Sequence, residues 1–336
     1  MNEEKKSSNA ALKKITGSHL FPLIILEILM ILIFTFWSNA VGAQFFKFST
    51  LRNILQTLVI SGFLAIGSGC LLIGGHIDLS ESAVGALGGI VLASAILRIG
   101  LPWWLAIILC LVICAIFGLI NGLMVTKLKF PAFIATLAMA SMVKGLMYIF
   151  SSIGNPAGTA ANITFKNDAI KFIGTAKIAE IPFSVFILVL FFIVYGILMS
   201  KTSFGSKVSL LGGNPVAANL AGINATAITI LLFVNSAVLG GVSGIFNTAR
   251  LQQGSLTALT TNQFTGLTAA MLGGISFGGG TGGMLGAFVG LIILNTFQIG
   301  MSVVGLNVYL VNVFSGVLLL IALAFDFVQR RRSGRL

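Results

Sequence analysis

The chain has 336 residues, 57% hydrophobic and only 8% charged, with a formal net charge of +12. A soluble domain carries about 25% charged residues, so water is not the main solvent of this protein. The composition excludes a disordered scaffold and a disulfide-stapled secreted module, and basic residues scattered singly between apolar runs exclude a nucleic-acid face.

A hydrocarbon core about 30 Å thick takes about 20 apolar residues per helix. By that measure the chain predicts ten spans: Leu20–Val41, Ile54–Ile73, Ser82–Leu97, Trp103–Met124, Ala132–Phe150, Phe183–Met199, Ala225–Phe246, Thr265–Ile275, Met284–Gly300 and Val303–Phe325. The eighth is short and lies in Gly-rich sequence. The first run is longer than the roughly 7–15 apolar residues of a signal peptide, so it reads as a retained anchor. The expected class is an all-α polytopic membrane protein with broken or re-entrant Gly-rich segments and two pseudo-repeated halves.

An even span count puts both ends on one side. Lys5, Lys6, Lys13, Lys14, Lys127, Lys129, Lys201, Lys207, Arg330, Arg331, Arg332 and Arg335 then share that side, twelve basic residues against six opposite. Basic loops mark the cytoplasm, so both termini are expected there and the protein in a plasma membrane. Residues 1–19 and 327–336 read as cytoplasmic tails flanking one transmembrane unit over 20–326. The polar stretch 154–182 is the largest extracytoplasmic loop. It reads equally as a solvated connection or as a contact for an external partner. Cys70, Cys110 and Cys114 lie in apolar stretches and read as small helix side chains, not as a disulfide or metal set.

Two Gly-rich stretches interrupt the spans. Gly67 to Ser80 and Gly273 to Gly283 open alike, Leu72-Ile73-Gly74-Gly75 against Met271-Leu272-Gly273-Gly274, and an apolar helix follows each. Interrupted spans at corresponding places in two halves point to an internal repeat with a translocation site between the halves. Gly74, Gly75, Gly273, Gly274, Gly278 and Gly279 are the expected structural breaks. The first stretch carries Asp78 and Glu81 behind His76. Ionisable residues inside a membrane are costly and face a protein interior or a wet cavity. Asp78, Ser80 and Glu81 therefore read as pathway lining, or as capping and packing groups for the helix that starts near Glu81. A metal reading of His76, Asp78 and Glu81 lacks a second ligand cluster, so no metal is expected. Asn235, Asn247 and Asn295 are further pathway candidates, since amides suit hydroxyl-rich ligands, although they also bond helix to helix. Glu27 reads as a polar contact remote from the pathway.

The most informative segment is 202–224. Asn214 is a good N-cap, Pro215 suits the first helical position and Gly222 is a natural stop. A short helix is expected between two spans on the cytoplasmic side, with Val216, Leu220 and Ile223 as its apolar face. A capped apolar helix of this kind docks into a partner's groove. Gly212, Gly213, Asn214, Pro215, Ala217, Ala218, Leu220, Gly222 and Ile223 are the expected coupling residues.

Four motifs carry a resemblance. They are Gly75-His-Ile-Asp-Leu-Ser80, Phe130-Pro-Ala-Phe-Ile-Ala-Thr-Leu137, Leu211-Gly-Gly-Asn-Pro-Val-Ala-Ala-Asn-Leu-Ala-Gly-Ile-Asn224, and Ala249-Arg-Leu251 followed by Leu272-Gly-Gly-Ile-Ser-Phe-Gly-Gly-Gly-Thr-Gly282. In that order they resemble the membrane (permease) subunits of bacterial ABC importers of the ribose or simple-sugar type. The resemblance implies two permease copies, a cytoplasmic ATP-binding subunit contacted through 202–224, an external substrate-binding protein and an inner-membrane location. It implies no chemistry on this chain; ATP and Mg belong to the partner, and the sequence has no Gly-x-x-x-x-Gly-Lys-Ser/Thr loop. The chain departs from the family at His76, where Gly is usual, at Glu81-Ser82, where Val-Gly is common, at Ser206, where Arg is frequent after Gly, and at Lys144, where Arg is frequent. A pentose or hexose is the favoured cargo. The alternatives are an autoinducer-type furanosyl compound, a nucleoside or a branched-chain amino acid, and in another class an ion-coupled secondary transporter using Asp78 and Glu81.

Overall fold

The computed structural model describes residues 21–155 and 157–332. The 1–19 tail with its four lysines, Leu20 and Arg335 lie outside the described residues. Apolar runs with no polar neighbours bond their backbone internally, so they form helices. These are α1 (Phe21–Ala40), α2 (Phe48–Ile73), α3 (Glu81–Leu97), α4 (Trp103–Thr126) and α5 (Ala132–Ser152). After the polar loop come α6 (Asp168–Thr175), α7 (Phe183–Lys201), α8 (Ser203–Gly213), α9 (Pro215–Leu220) and α10 (Ala225–Leu251). The chain ends with α11 (Thr265–Leu272), α12 (Met284–Val303) and α13 (Val308–Arg332). Every predicted span finds its helix. Among the described residues eight helices are long and apolar enough to cross a membrane. The other two predicted spans are α3, at 17 residues, and α11, at eight.

Several boundaries differ from expectation, among them the end of α10, at Leu251 and not Phe246. α2 begins at Phe48, before Arg52, because that guanidinium pairs with Glu180 and stacks over the Phe48 ring instead of ending the helix. Val303 ends α12 and does not open α13, because Gly305, at φ +87°, reverses the chain there. α13 continues to Arg332, so residues 327–332 of the expected tail are helical.

α2, α3 and α10 form the centre of the bundle, and most of their residues are buried. α3 and α10 each carry a Gly-x-x-x-Gly pair, and these allow backbone-to-backbone approach. A Cβ on Gly85 would stand 2.2 Å from the Gly240 oxygen, and one on Gly244 would stand 2.0 Å from the Gly85 oxygen. α4 closes on α10 in the same way at Gly118. α1 is peripheral and packs on α12, where Gly300 makes room for the Phe34 ring. A lateral cavity of about 430 Å³ opens beside α1, lined by Glu27, Ile31, Phe45, Ile54, Ile292 and Thr296.

The 154–182 segment is structured. Asn167 caps α6 by accepting from the Ile170 N–H at 3.0 Å. Strand β1 (Ile163–Thr164) pairs antiparallel with β4 (Gln253–Gly254), with Ile163 opposite Gly254, and β2 (Lys177–Ile178) pairs with β3 (Ile181–Pro182). Gly174 of α6 lies against the Ala249–Arg250 backbone. The segment therefore folds over one end of α10, while both Gly-rich breaks lie at the opposite end of the bundle.

Candidate functional site

The two breaks have the same geometry. After α2, Gly74 takes φ −75° and ψ 0°, and Gly75 turns left-handed at φ +78°. After α11, Gly273 takes φ −74° and ψ 2°, and Gly274 turns at φ +85°. In each, the second glycine N–H bonds back three residues and the next N–H bonds back five: His76 to the Leu71 oxygen at 2.9 Å, Ile275 to the Ala270 oxygen at 3.0 Å. This is the helix-ending motif in which a left-handed residue lets the last carbonyls find donors. Further along the second break, Gly278 leaves room for the Arg330 guanidinium, and Gly279 is left-handed at φ +79°.

The first break delivers Asp78, Ser80 and Glu81 into the interior, all nearly inaccessible to solvent. The Asp78 carboxylate accepts from the Ser80 N–H at 2.8 Å, from the Ser80 hydroxyl at 2.6 Å and from the Ser236 hydroxyl of α10 at 3.3 Å. Ser80 in turn accepts from the Asn121 amide of α4 at 2.8 Å. Thr136 of α5 accepts from the Leu79 N–H at 3.1 Å. Glu81 accepts from the Ser68 hydroxyl of α2 at 2.8 Å, and its other oxygen lies against Gly67, where a Cβ would collide with it. That oxygen and the Asn121 carbonyl are buried without a hydrogen-bond partner. His76 places Nε2 3.2 Å from the Thr229 hydroxyl, with its ring against Phe233. The cluster thus pins the start of α3 to α2, α4, α5 and α10. Asp78 acts as a capping and packing group here, with Ser80 as its partner and not as a side-chain cap.

At the same end stands the predicted short helix. Asn214 accepts from the Ala217 N–H at 3.0 Å, Pro215 takes the first helical position and Gly222 ends the turn at φ +74°. Leu220 and Val216 are 85% and 68% exposed, whereas Ala218 is fully buried and Ile223 half-buried. Ala218 and Ile223 seat α9 on α8 and α10, so its outward apolar surface is narrower than the expected face. Replacing Asn214 with Ala should destabilise this segment by about 1 kcal/mol, and Asn214→Ser should restore it. Hydrogen exchange at the Ala217 amide checks this: unchanged exchange in Asn214→Ala contradicts the cap.

Residues 50–323 match the family model described as "Branched-chain amino acid transport system / permease component". The chain belongs to this permease family. Its relatives include the ribose import permease protein RbsC of Bacillus subtilis (strain 168), 32% identical over 306 residues, 91% of each chain. The fructose import permease protein FrcC of Rhizobium meliloti is 29% identical over 311 residues, 92% of this chain and 86% of its own. The L-arabinose transport system permease protein AraH of Escherichia coli (strain K12) is 30% identical over 288 residues, 86% and 85% respectively. The protein is a multi-pass permease of the inner membrane, and its apolar helices agree with that.

Of the other predicted pathway residues, Asn235 directly precedes Ser236 on α10. Asn235 accepts from the Tyr195 hydroxyl of α7. Asn295 donates to the Ser61 hydroxyl at 3.1 Å and to the Leu291 oxygen at 2.8 Å, a bond between α12 and α2. Asn247 is buried on α10. Glu27 accepts from Thr296 at 2.7 Å. Sequence reasoning missed Ser68, Asn121, Thr136 and Ser236. Asn121 had a signal, as a lone amide in the apolar run 103–126, while hydroxyls inside apolar helices are too common to single out.

Proposed function

We propose that this permease forms the translocation pathway of an ATP-driven importer for a monosaccharide, a pentose or hexose. It works as one of two permease copies, with a cytoplasmic ATP-binding subunit that holds ATP and Mg, and with an extracytoplasmic binding protein that delivers the sugar. Its 20–326 unit crosses the membrane ten times in two pseudo-repeated halves, with both termini cytoplasmic. The matched turns at Gly74–Gly75 and Gly273–Gly274 support the two halves. The 202–224 segment is the coupling element, and the observation that carries this is α9, a capped helix seated by Ala218 with Leu220 and Val216 held outward. An apolar pair held clear of its own fold fits a partner's groove. ATP binding and hydrolysis in the partner shift α8 and α9, and the central helices open toward the cytoplasm.

In this mechanism the chain positions groups and performs no covalent step. Asp78, Ser80 and Glu81 border the pathway where α3 begins, and Asn235, Asn247 and Asn295 lie on the helices beside it. Sugar import relatives spanning most of the chain support the cargo class. A binding-protein-dependent uptake panel of ribose, arabinose, fructose, glucose and leucine tests it. Uptake of one monosaccharide and not of leucine is expected, and leucine uptake without sugar uptake overturns the cargo assignment.

A further inference from the structure

Three glycine pairs from distant parts of the chain meet at one point. Gly74 and Gly75 close the turn after α2, Gly212 and Gly213 end α8, and Gly279 and Gly280 lie in the second break. A Cβ on Gly212 would stand 2.0 Å from the Ile73 oxygen and 2.8 Å from the Gly280 nitrogen. One on Gly279 would stand 2.7 Å from the Gly212 oxygen, and one on Gly280 2.6 Å from the Gly213 Cα. The Gly280 N–H donates to the Ile73 oxygen at 2.8 Å and joins the two breaks directly.

The contact is backbone on backbone. No side chain stands between the segments to change rotamer and absorb a displacement, so a shift of α8 carries both breaks with it or separates them. The first break runs into Asp78 and α3, and the second into α12. Gly212 meets the first break at its turn and the second at Gly279–Gly280, six residues past the matched turn, so one pull reaches both breaks at different points along them.

We propose that Gly212 is the positioning residue through which the 202–224 segment drives both helix breaks together. This rests on the coupling role assigned to that segment. Gly212 lies at the end of α8, three residues before α9 begins, so movement of α9 reaches it directly, and passes from there toward the starts of α3 and α12. Glycine is required at 212 because any side chain wedges the three backbones apart. Gly213 differs, since a Cβ there would sit 3.6 Å from the Gly280 Cα, an ordinary contact, and a Cβ on Gly283 would meet nothing within 4 Å.

The test has two parts. Gly212→Ala and Gly283→Ala are each assembled with the ATP-binding subunit and binding protein in proteoliposomes, and uptake and ATP hydrolysis are read together. Gly212→Ala is expected to keep hydrolysis while uptake falls about tenfold, within the range of allosteric coupling energies. Gly283→Ala should transport nearly as the unaltered protein does, because its Cβ meets nothing within 4 Å. Wild-type uptake in Gly212→Ala, or an equal loss in Gly283→Ala, overturns the proposal. Hydrogen exchange on the unaltered complex, with and without ATP, decides the matter if Gly212→Ala does not assemble. Residues 70–80, 203–222 and 273–283 should respond to ATP together. A response confined to 203–222 overturns the role of Gly212 alone, and no response in 203–222 overturns the coupling assignment as well.

Discussion

Replacing Leu220 with Asp should abolish ATP-dependent uptake while leaving the permease in the membrane at its normal amount. Leu220 is 85% exposed at the end of α9, so its side chain adds little to the fold. In the proposed docked complex the same side chain would sit in an apolar groove. Central apolar anchors of an interface contribute about 2 kcal/mol or more, roughly a thirtyfold change in affinity, and a carboxylate there adds the cost of burying an unpaired charge. Uptake and co-purification of the ATP-binding subunit should fall together, with the permease level read by immunoblot. Full co-purification with Leu220→Asp would contradict α9 as the docking element. Ala218 makes a poorer probe, because its fully buried position means that a large substitution there unseats α9 itself.

Asp78→Ala is expected to cost about 3 kcal/mol or more of stability in detergent, because the donors of Ser80 and Ser236 lose their acceptor in a buried site. Glu81→Gln should cost about 1 kcal/mol or less. Glu81 accepts from the Ser68 hydroxyl, and the amide oxygen of Gln still accepts that bond. Thermal melts of the purified permease rank the two. Equal loss, or greater loss in Glu81→Gln, would contradict the assignment of Asp78 as the capping group that holds the start of α3.

What could be read from the residues followed their range of action. The Gly-Gly turns and the Asn214–Gly222 helix depend on neighbours a few positions away, so their outlines were legible. The acid cluster was half legible. Asp78 and Glu81 stand out as charges in an apolar stretch, but Ser68, Asn121 and Ser236 join them only because α2, α4 and α10 cross there. The narrowing of the α9 face came from its short length: Ile223 fits the 216, 220, 223 spacing, but α9 ends at Leu220 and Gly222 turns the chain, which leaves Ile223 half-buried against the core. The end of α12 at Val303 was missed because Val303 and Val304 read as the start of an apolar run, whereas Gly305 at φ +87° makes them its finish.

In the proposed mechanism, ATP hydrolysis by the partner powers this permease. The most direct test is sugar uptake by proteoliposomes that hold the permease, its ATP-binding subunit and its binding protein, with ATP inside and the ion gradients collapsed by ionophores. Undiminished uptake with ATP, and none without it, is the expected result. Uptake that disappears with the gradient while ATP remains would contradict the account and return Asp78 and Glu81 to the role of ion carriers.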